Sequence, residues 1–194
     1  MVKNKIKNKK IILGLDLDGV ILDHSKNKLD LAEKIGINLS LRETSSDIME
    51  TKIEQGAYRA LQTSLYDDAK LARKTPLMPR AKESLHFIKS TGIPFVLISR
   101  RKTSDCALIS LKFHGLWPDY FDVSNTFFVS EKKDKDTKAS AIGVTHYVDD
   151  EPSVIAELVS VPKKYLFDPF HSYTDLKGDF NKLQSWDELL EELC

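Results

Sequence analysis

Short apolar runs alternate along the chain with stretches in which apolar residues recur every three or four positions. The first run, Ile11-Ile12-Leu13-Gly14-Leu15, is apolar on both faces, which predicts a buried parallel strand. It leads directly into Asp16-Leu17-Asp18-Gly19-Val20. Behind it, Leu29, Leu31, Ala32 and Ile35 predict a helix stopped by Gly36. A second helix is predicted on Ile48, Met49 and Ile53, with Thr44, Ser45 or Ser46 as its N-cap. A third runs from about position 57 to 71 on the stripe Ala57, Leu61, Leu65 and Ala69. Pro76 and Pro79 close this helical stretch, and Pro79 opens another helix through Ala81, Leu85 and Ile88 to Gly92.

The same rhythm continues. Pro94-Phe95-Val96-Leu97-Ile98 predicts a second buried strand ending in Ser99-Arg100-Arg101. A helix capped by Thr103, Ser104 or Asp105 then carries Ala107, Leu108 and Leu111 to Gly115. Thr126-Phe127-Phe128-Val129 is the third strand. The charge-dense stretch 131–138 leads to a short helix on Ala139, Ala141 and Ile142. Thr145-His146-Tyr147-Val148 is the fourth strand, and it delivers Asp149-Asp150-Glu151. A helix opened by Pro152, a fifth strand at Tyr165-Leu166-Phe167 and a final helix signalled by Ser185 and Glu188 complete the pattern. Strands alternating with helices imply an α/β Rossmann-like parallel sheet of about five strands with right-handed crossovers.

A length of 194 residues suits one well-buried domain, or a core with a small insertion. The helical stretch at 22–76 is that insertion, dividing the core into 11–21 and 77–194. With 41% hydrophobic and 30% charged residues the chain has the composition of a packed globular protein. Net charge is zero, but Lys3, Lys5, Lys7, Lys9 and Lys10 crowd the first ten positions and predict a flexible basic N-terminus. The remainder carries 24 basic against 29 acidic residues, so the broad basic footprint of a nucleic-acid binder is missing. No segment reaches membrane-span length. Cys106 and Cys194 form no disulfide or zinc framework, and a reducing cytoplasm is the expected location.

Two carboxylates delivered by one strand end repel each other and lose solvation, so they need a cation or a proton to stay together. A divalent metal is the expected partner of Asp16 and Asp18, at the strand ends where open α/β sheets bind ligands. With Ser99 after strand two, lysines after strand three and the Asp149-Asp150 pair after strand four, the ordered set resembles the haloacid dehalogenase superfamily, specifically its phosphatases. The resemblance covers residues 11 to about 170. It implies strand order 3-2-1-4-5, and it makes the insertion similar to the family's small C1-type helical cap.

That resemblance implies a Mg2+-dependent phosphomonoester hydrolase acting on a small phosphorylated metabolite. Asp16 is then nucleophile and metal ligand, Asp149 a second ligand, and Asp18 a third through its main-chain carbonyl. The Asp18 side chain is left to protonate the leaving oxygen and to take a proton from water. Ser99 and a lysine hold the phosphoryl oxygens. Lys135 is preferred to Lys138, which leaves little helix before Gly143. Asp150 either orients metal-bound water or serves as a helix N-terminal charge. Arg100 either faces substrate or forms a surface ion pair. His24 stands out among the histidines because it lies where the cap begins, and Tyr58, Arg59 and Tyr66 either line a cap pocket or pack. The fifth-strand ending Tyr165-Leu166-Phe167-Asp168-Pro169 tilts the substrate toward a nucleotide. A phosphomutase and a non-catalytic binding protein of the same fold are the alternative readings.

Overall fold

The computed structural model describes residues 10–194, and the basic stretch before them, apart from Lys10, lies outside the described residues. In chain order the elements are β1 (Leu13–Leu15), α1 (Ser25–Lys34), α2 (Ser46–Lys52), α3 (Gln55–Tyr66), α4 (Ala69–Ala72), α5 (Ala81–Ser90) and β2 (Phe95–Arg100). They are followed by α6 (Asp105–Phe113), β3 (Thr126–Val129), α7 (Lys132–Ile142), β4 (His146–Asp149), α8 (Pro152–Glu157), β5 (Lys163–Phe167), β6 (Asn181–Leu183) and α9 (Trp186–Leu193). All strand pairs are parallel, in the order β3-β2-β1-β4-β5-β6. The expected order holds, with one more strand than the five predicted. β6 is short and buries only Leu183, so no apolar run announces it.

Alternation along the central strands splits the core into two layers. Leu13, Leu15, Phe95, Leu97 and Val148 pack with α5, α6 and α9 on one face, while Val96, Ile98, Tyr147 and Leu166 pack with α7 and α8 on the other. Gly14 makes room on that second face: a Cβ there would lie 2.5 Å from the Tyr147 ring. Tyr147 in turn donates its hydroxyl hydrogen to the carbonyl of Ile98 at 2.8 Å, tying β4 to β2 across β1.

Between β1 and α5 the inserted helices gather a small core of their own from Ala32, Met49, Ile53, Tyr58 and Leu61. Several local expectations shift here. The predicted third helix breaks at Asp67-Asp68, because Asp68 caps a new start by accepting from Lys70 and Leu71 N–H groups. The buried face of α1 is Ser25, Lys28 and Ala32, while Ile35 stays exposed. Pro79 precedes α5 without entering it, since Arg80 takes a left-handed turn at the N-cap. Farther on, α7 begins at Lys132, so the charge-dense stretch is itself helix. The final helix starts as predicted, with Ser185 Oγ accepting from Glu188 N–H at 3.2 Å.

Candidate active site

Parallel strands bring their C-terminal ends to one edge, and the chemistry-bearing residues collect there. Asp16 follows β1 and donates its N–H to the Val148 carbonyl at 3.0 Å. Asp149 closes β4, Ser99 is the penultimate residue of β2, and Lys135 reaches over from the second turn of α7. Lys135 Nζ lies 2.7 Å from Asp149 Oδ2 and 2.9 Å from Asp16 Oδ1, and its side chain is only 2% exposed. Lys138 is elsewhere, its ammonium 4.6 Å from the Phe127 ring centre. Of these two lysines, Lys135 is the one that reaches the carboxylates.

Burial pushes Asp16 upward against the opposing charge of Lys135. Asp149 is pushed up to about 7, first by burial and then by Asp16, despite the same lysine. For Lys135 burial acts downward, but the charges of Asp149 and Asp16 outweigh it and hold the ammonium well above its ordinary range. One lysine thus faces more carboxylate than it can neutralise. Asp150 adds to the excess: Asp16, Asp149 and Asp150 each place one ligand oxygen within 4.8 Å of the others. Asp16 Oδ1 is also buried and without an aligned hydrogen-bond partner among the described residues. A hard, oxygen-only donor set with surplus negative charge fits a divalent cation of the Mg2+ type.

Asp150 is therefore closer to the centre than either sequence reading placed it. It presses against Gly19, where a Cβ would fall 2.1 Å from Asp150 Oδ2. Gly19 also has φ of 82°, a left-handed value that disfavours any side chain. The turn after the DLD sequence is thus shaped twice over to admit Asp150.

Asp18 is not part of that three-carboxylate group and has partners of its own. Arg101 grips it with Nε to Oδ2 at 2.8 Å and Nη2 to Oδ1 at 2.5 Å, and His24 Nε2 donates to Oδ1 at 2.7 Å. Burial alone would raise the Asp18 carboxyl, but the Arg101 charge and the His24 bond hold it well below the usual carboxylate range. The grip includes the insertion. Arg101 Nη1 donates to the Tyr66 carbonyl at 3.2 Å and its guanidinium lies 4.8 Å from the Tyr66 ring centre. The His24 and Tyr66 rings meet edge to face at 5.4 Å.

Arg101 was absent from the expected site, although a signal for it exists. Strand side chains alternate, so Ser99 and Arg101 share a face and Arg100 takes the other. Arg100 instead lies 3.8 Å from Glu151 and is one-third exposed, while still lining the rim of the chamber. Ser99 Oγ is buried and has no hydrogen-bond partner among the described residues. Tyr58 packs in the insertion's core and donates to the Ser46 carbonyl, and Arg59 is exposed.

The insertion roofs the chamber with Lys28, Ser46, Gln62 and Tyr66 over Asp16, Ser99 and Lys135. It is fastened to the core at its near side. Asp47 accepts from Ser153 N at 3.0 Å, Ser153 Oγ at 2.7 Å and Lys132 Nζ at 3.2 Å. Ser45 and Tyr173 share a hydrogen bond beside it.

No protein-family model matches the chain, and no curated protein does. Solved structures match throughout its length. A HAD family hydrolase from Deinococcus radiodurans, with bound phosphate and sodium, superposes with TM-score 0.65 at 17% identity, over 95% of this chain and 94% of that one. A predicted phosphatase from Clostridium acetobutylicum gives TM-score 0.66 at 14% identity, over 95% and 98%. A HAD-superfamily hydrolase from Ehrlichia chaffeensis gives 0.62 at 13%, over 95% and 96%. These likenesses are likenesses of fold.

Proposed function

The chain has the haloacid dehalogenase fold, and on that premise we propose that it is a Mg2+-dependent phosphomonoester hydrolase working through an aspartyl-phosphate on Asp16. The observation that carries the proposal is the pairing of Lys135, shared between Asp16 and Asp149, with the buried unpartnered hydroxyl of Ser99 one strand away. A phosphate monoester is a dianion, and an anionic nucleophile approaches it only where donors already await its oxygens. Lys135 and Ser99 are such donors.

Asp16, Asp149 and Asp150 would hold the cation by side chains, with the Asp18 main-chain carbonyl as a further oxygen. When bound, the cation supplies positive charge against the phosphoryl group. Asp16 attacks phosphorus and the ester oxygen leaves, so that hydrolysis is divided into two easier steps. Asp18, held in place by Arg101, is set to take the proton of the attacking water in the second step. That proton is the one it delivers to the next leaving oxygen, so the cycle closes without net change in Asp18. Arg101 and His24 orient this carboxylate, and neither touches the phosphoryl group in this reading.

Residues 22–76 act as a cap: the roof of Lys28, Ser46, Gln62 and Tyr66 excludes water and macromolecular substrates, which points to a small metabolite. The test is phosphate release from p-nitrophenyl phosphate with Mg2+. Turnover that disappears on chelation and in Asp16→Asn supports the proposal, and full activity in Asp16→Asn refutes it.

A further inference from the structure

The three clustered carboxylates are not held alike. Asp149 receives the Lys135 ammonium on Oδ2 at 2.7 Å and the Glu151 N–H on Oδ1 at 3.1 Å, and Asp16 lies 2.9 Å from the same ammonium, whereas among the described residues no such bond reaches the Asp150 side chain. What confines Asp150 is steric contact with Gly19 and one nearby charge. That charge is Lys28, on the inward face of α1 and 6% exposed. A second cavity, walled by Gly19, Phe167, Phe170 and Tyr173, adjoins the reaction chamber, and Lys28 and Asp150 are the two residues that line both. They face each other where the cavities meet. Burial pushes the Asp150 carboxyl up, the Lys28 charge is the first influence opposing it, and Glu151, Asp149 and Asp16 add to the rise.

Lys28 has capacity to spare. Its Nζ donates to the Thr44 carbonyl at 2.9 Å and to Ser46 Oγ at 3.3 Å, both neutral acceptors, and an ammonium carries a third donor. The other cations around the chamber are committed: Lys135 to Asp16 and Asp149, Arg101 to Asp18, Lys132 to Asp47 and Glu151, and Arg100 to Glu151. No carboxylate stands within 4.0 Å of Lys28 among the described residues, so Lys28 and Asp150 feel each other's charge without being joined.

A buried charge without a counter-charge costs several kcal/mol. Lys135 alone sets one positive charge against Asp16, Asp149 and Asp150, so whenever the cation dissociates Asp150 needs a partner, and Lys28 is the uncommitted one. With the cation bound, the same carboxylate is needed as a ligand. We propose that Asp150 is shared in turn between Lys28 and the cation, which makes Lys28 a positioning residue through which the insertion sets the affinity of the site for metal. This rests on the cation site of the hydrolase reading above. The coupling is reciprocal: seating the insertion with Lys28 on Asp150 weakens metal binding, and metal binding returns the third Lys28 donor to the chamber.

Calorimetry of the full chain with Mg2+ alone tests this without turnover. In Lys28→Gln, whose amide still donates to the Thr44 carbonyl, the Kd for Mg2+ falls at least about tenfold, a difference of about 1.4 kcal/mol. Lys28→Arg, which keeps the competing charge, stays near wild type. Asp150→Asn weakens Mg2+ binding, and adding Lys28→Gln to it changes the Kd by less than about threefold, because the competition needs the carboxylate. An unchanged or weaker Kd in Lys28→Gln overturns the proposal, since Lys28 then merely braces the 44–46 turn. So does a tightening of equal size in the Asp150→Asn background, the mark of plain repulsion between Lys28 and the cation. Lys28→Met carries the same expectations through the same cycle where Lys28→Gln does not fold. Failure of the underlying reading has a different signature, no saturable Mg2+ binding and no p-nitrophenyl phosphate turnover in wild type.

Discussion

Replacing Arg101 by lysine isolates the orientation of Asp18 from its presence. Arg101 supplies two in-plane bonds to the carboxylate, at 2.8 and 2.5 Å. Lysine keeps the positive charge in this buried position, avoiding the larger penalty of about 3–5 kcal/mol that follows when a buried carboxylate loses its partner altogether. It cannot reproduce the fork, so one charge-assisted bond of about 1.5–3 kcal/mol is forfeited. At about 1.4 kcal/mol per decade, kcat should fall about tenfold to a hundredfold where proton transfer to the leaving oxygen matters. That loss lies within the total of about 10²–10⁴ that a general acid or base contributes. The assay is kcat across a series of phosphate esters of rising leaving-group pKa. Alkyl phosphates should show the full loss in Arg101→Lys, while 2,4-dinitrophenyl phosphate, whose leaving group needs no proton, should change by less than about threefold. A uniform loss across the series, or an effect confined to KM, would refute the assignment of Arg101 as the residue that positions Asp18.

Other outcomes follow from the same geometry. Asp18→Asn should slow turnover of alkyl phosphates while leaving Asp16 able to be phosphorylated, detectable as retained radiolabel from substrate after quenching. Mg2+ at about a hundred times its Kd should raise stability by about 2.7 kcal/mol in thermal melts, and Asp149→Asn should abolish that shift. Asp47 links stability to pH. Burial would raise its carboxyl, but the bonds from Ser153 and the charge of Lys132 hold it below its ordinary 3.8. Its contribution is therefore complete above that value and is lost as pH falls through the lower folded value. Acid unfolding below about pH 4 should be shallower in Asp47→Asn than in wild type, and equal slopes would refute the Asp47–Ser153 fastening. Gly19→Ala should destabilise the protein and impair metal binding together, because the added methyl meets Asp150 at 2.1 Å in a turn with φ of 82°.

Much of the sheet was legible because buried parallel strands cannot hide: β1 and the body of β2 are apolar runs, β4 carries Tyr147-Val148 between two polar residues, and each leads to a polar residue at the edge of the sheet beside the chamber. The two aspartates and Ser99 were legible as strand ends, whereas Lys135 was singled out by its distance from Asp149, since the helix that carries it starts earlier than the pattern predicts. β6 was not, because a three-residue strand with one buried side chain carries no period. Lys28 and Arg101 were missed for a different physical cause. Both are charged residues on faces that local pattern assigns to solvent, and their burial is created by contact between the insertion and the core. Counting period two from Ser99 would have singled out Arg101, whereas nothing in α1 alone marks Lys28 as inward. Asp150 was half legible: its neighbours were known, but its approach to Gly19 depends on two segments 131 positions apart.

The indole of Trp186 donates to the carbonyl of Val20 at 2.9 Å, and both groups are buried. The turn that follows Asp16 is thus pinned by a helix that enters the chain 166 positions later. A piece ending near residue 170 would contain each of the four motif positions and the whole insertion, yet lack the prop beneath the DLDGV turn. Possession of the motifs and possession of the site's geometry are separable in this fold, and the boundary between them runs through a tryptophan that lies outside the chamber.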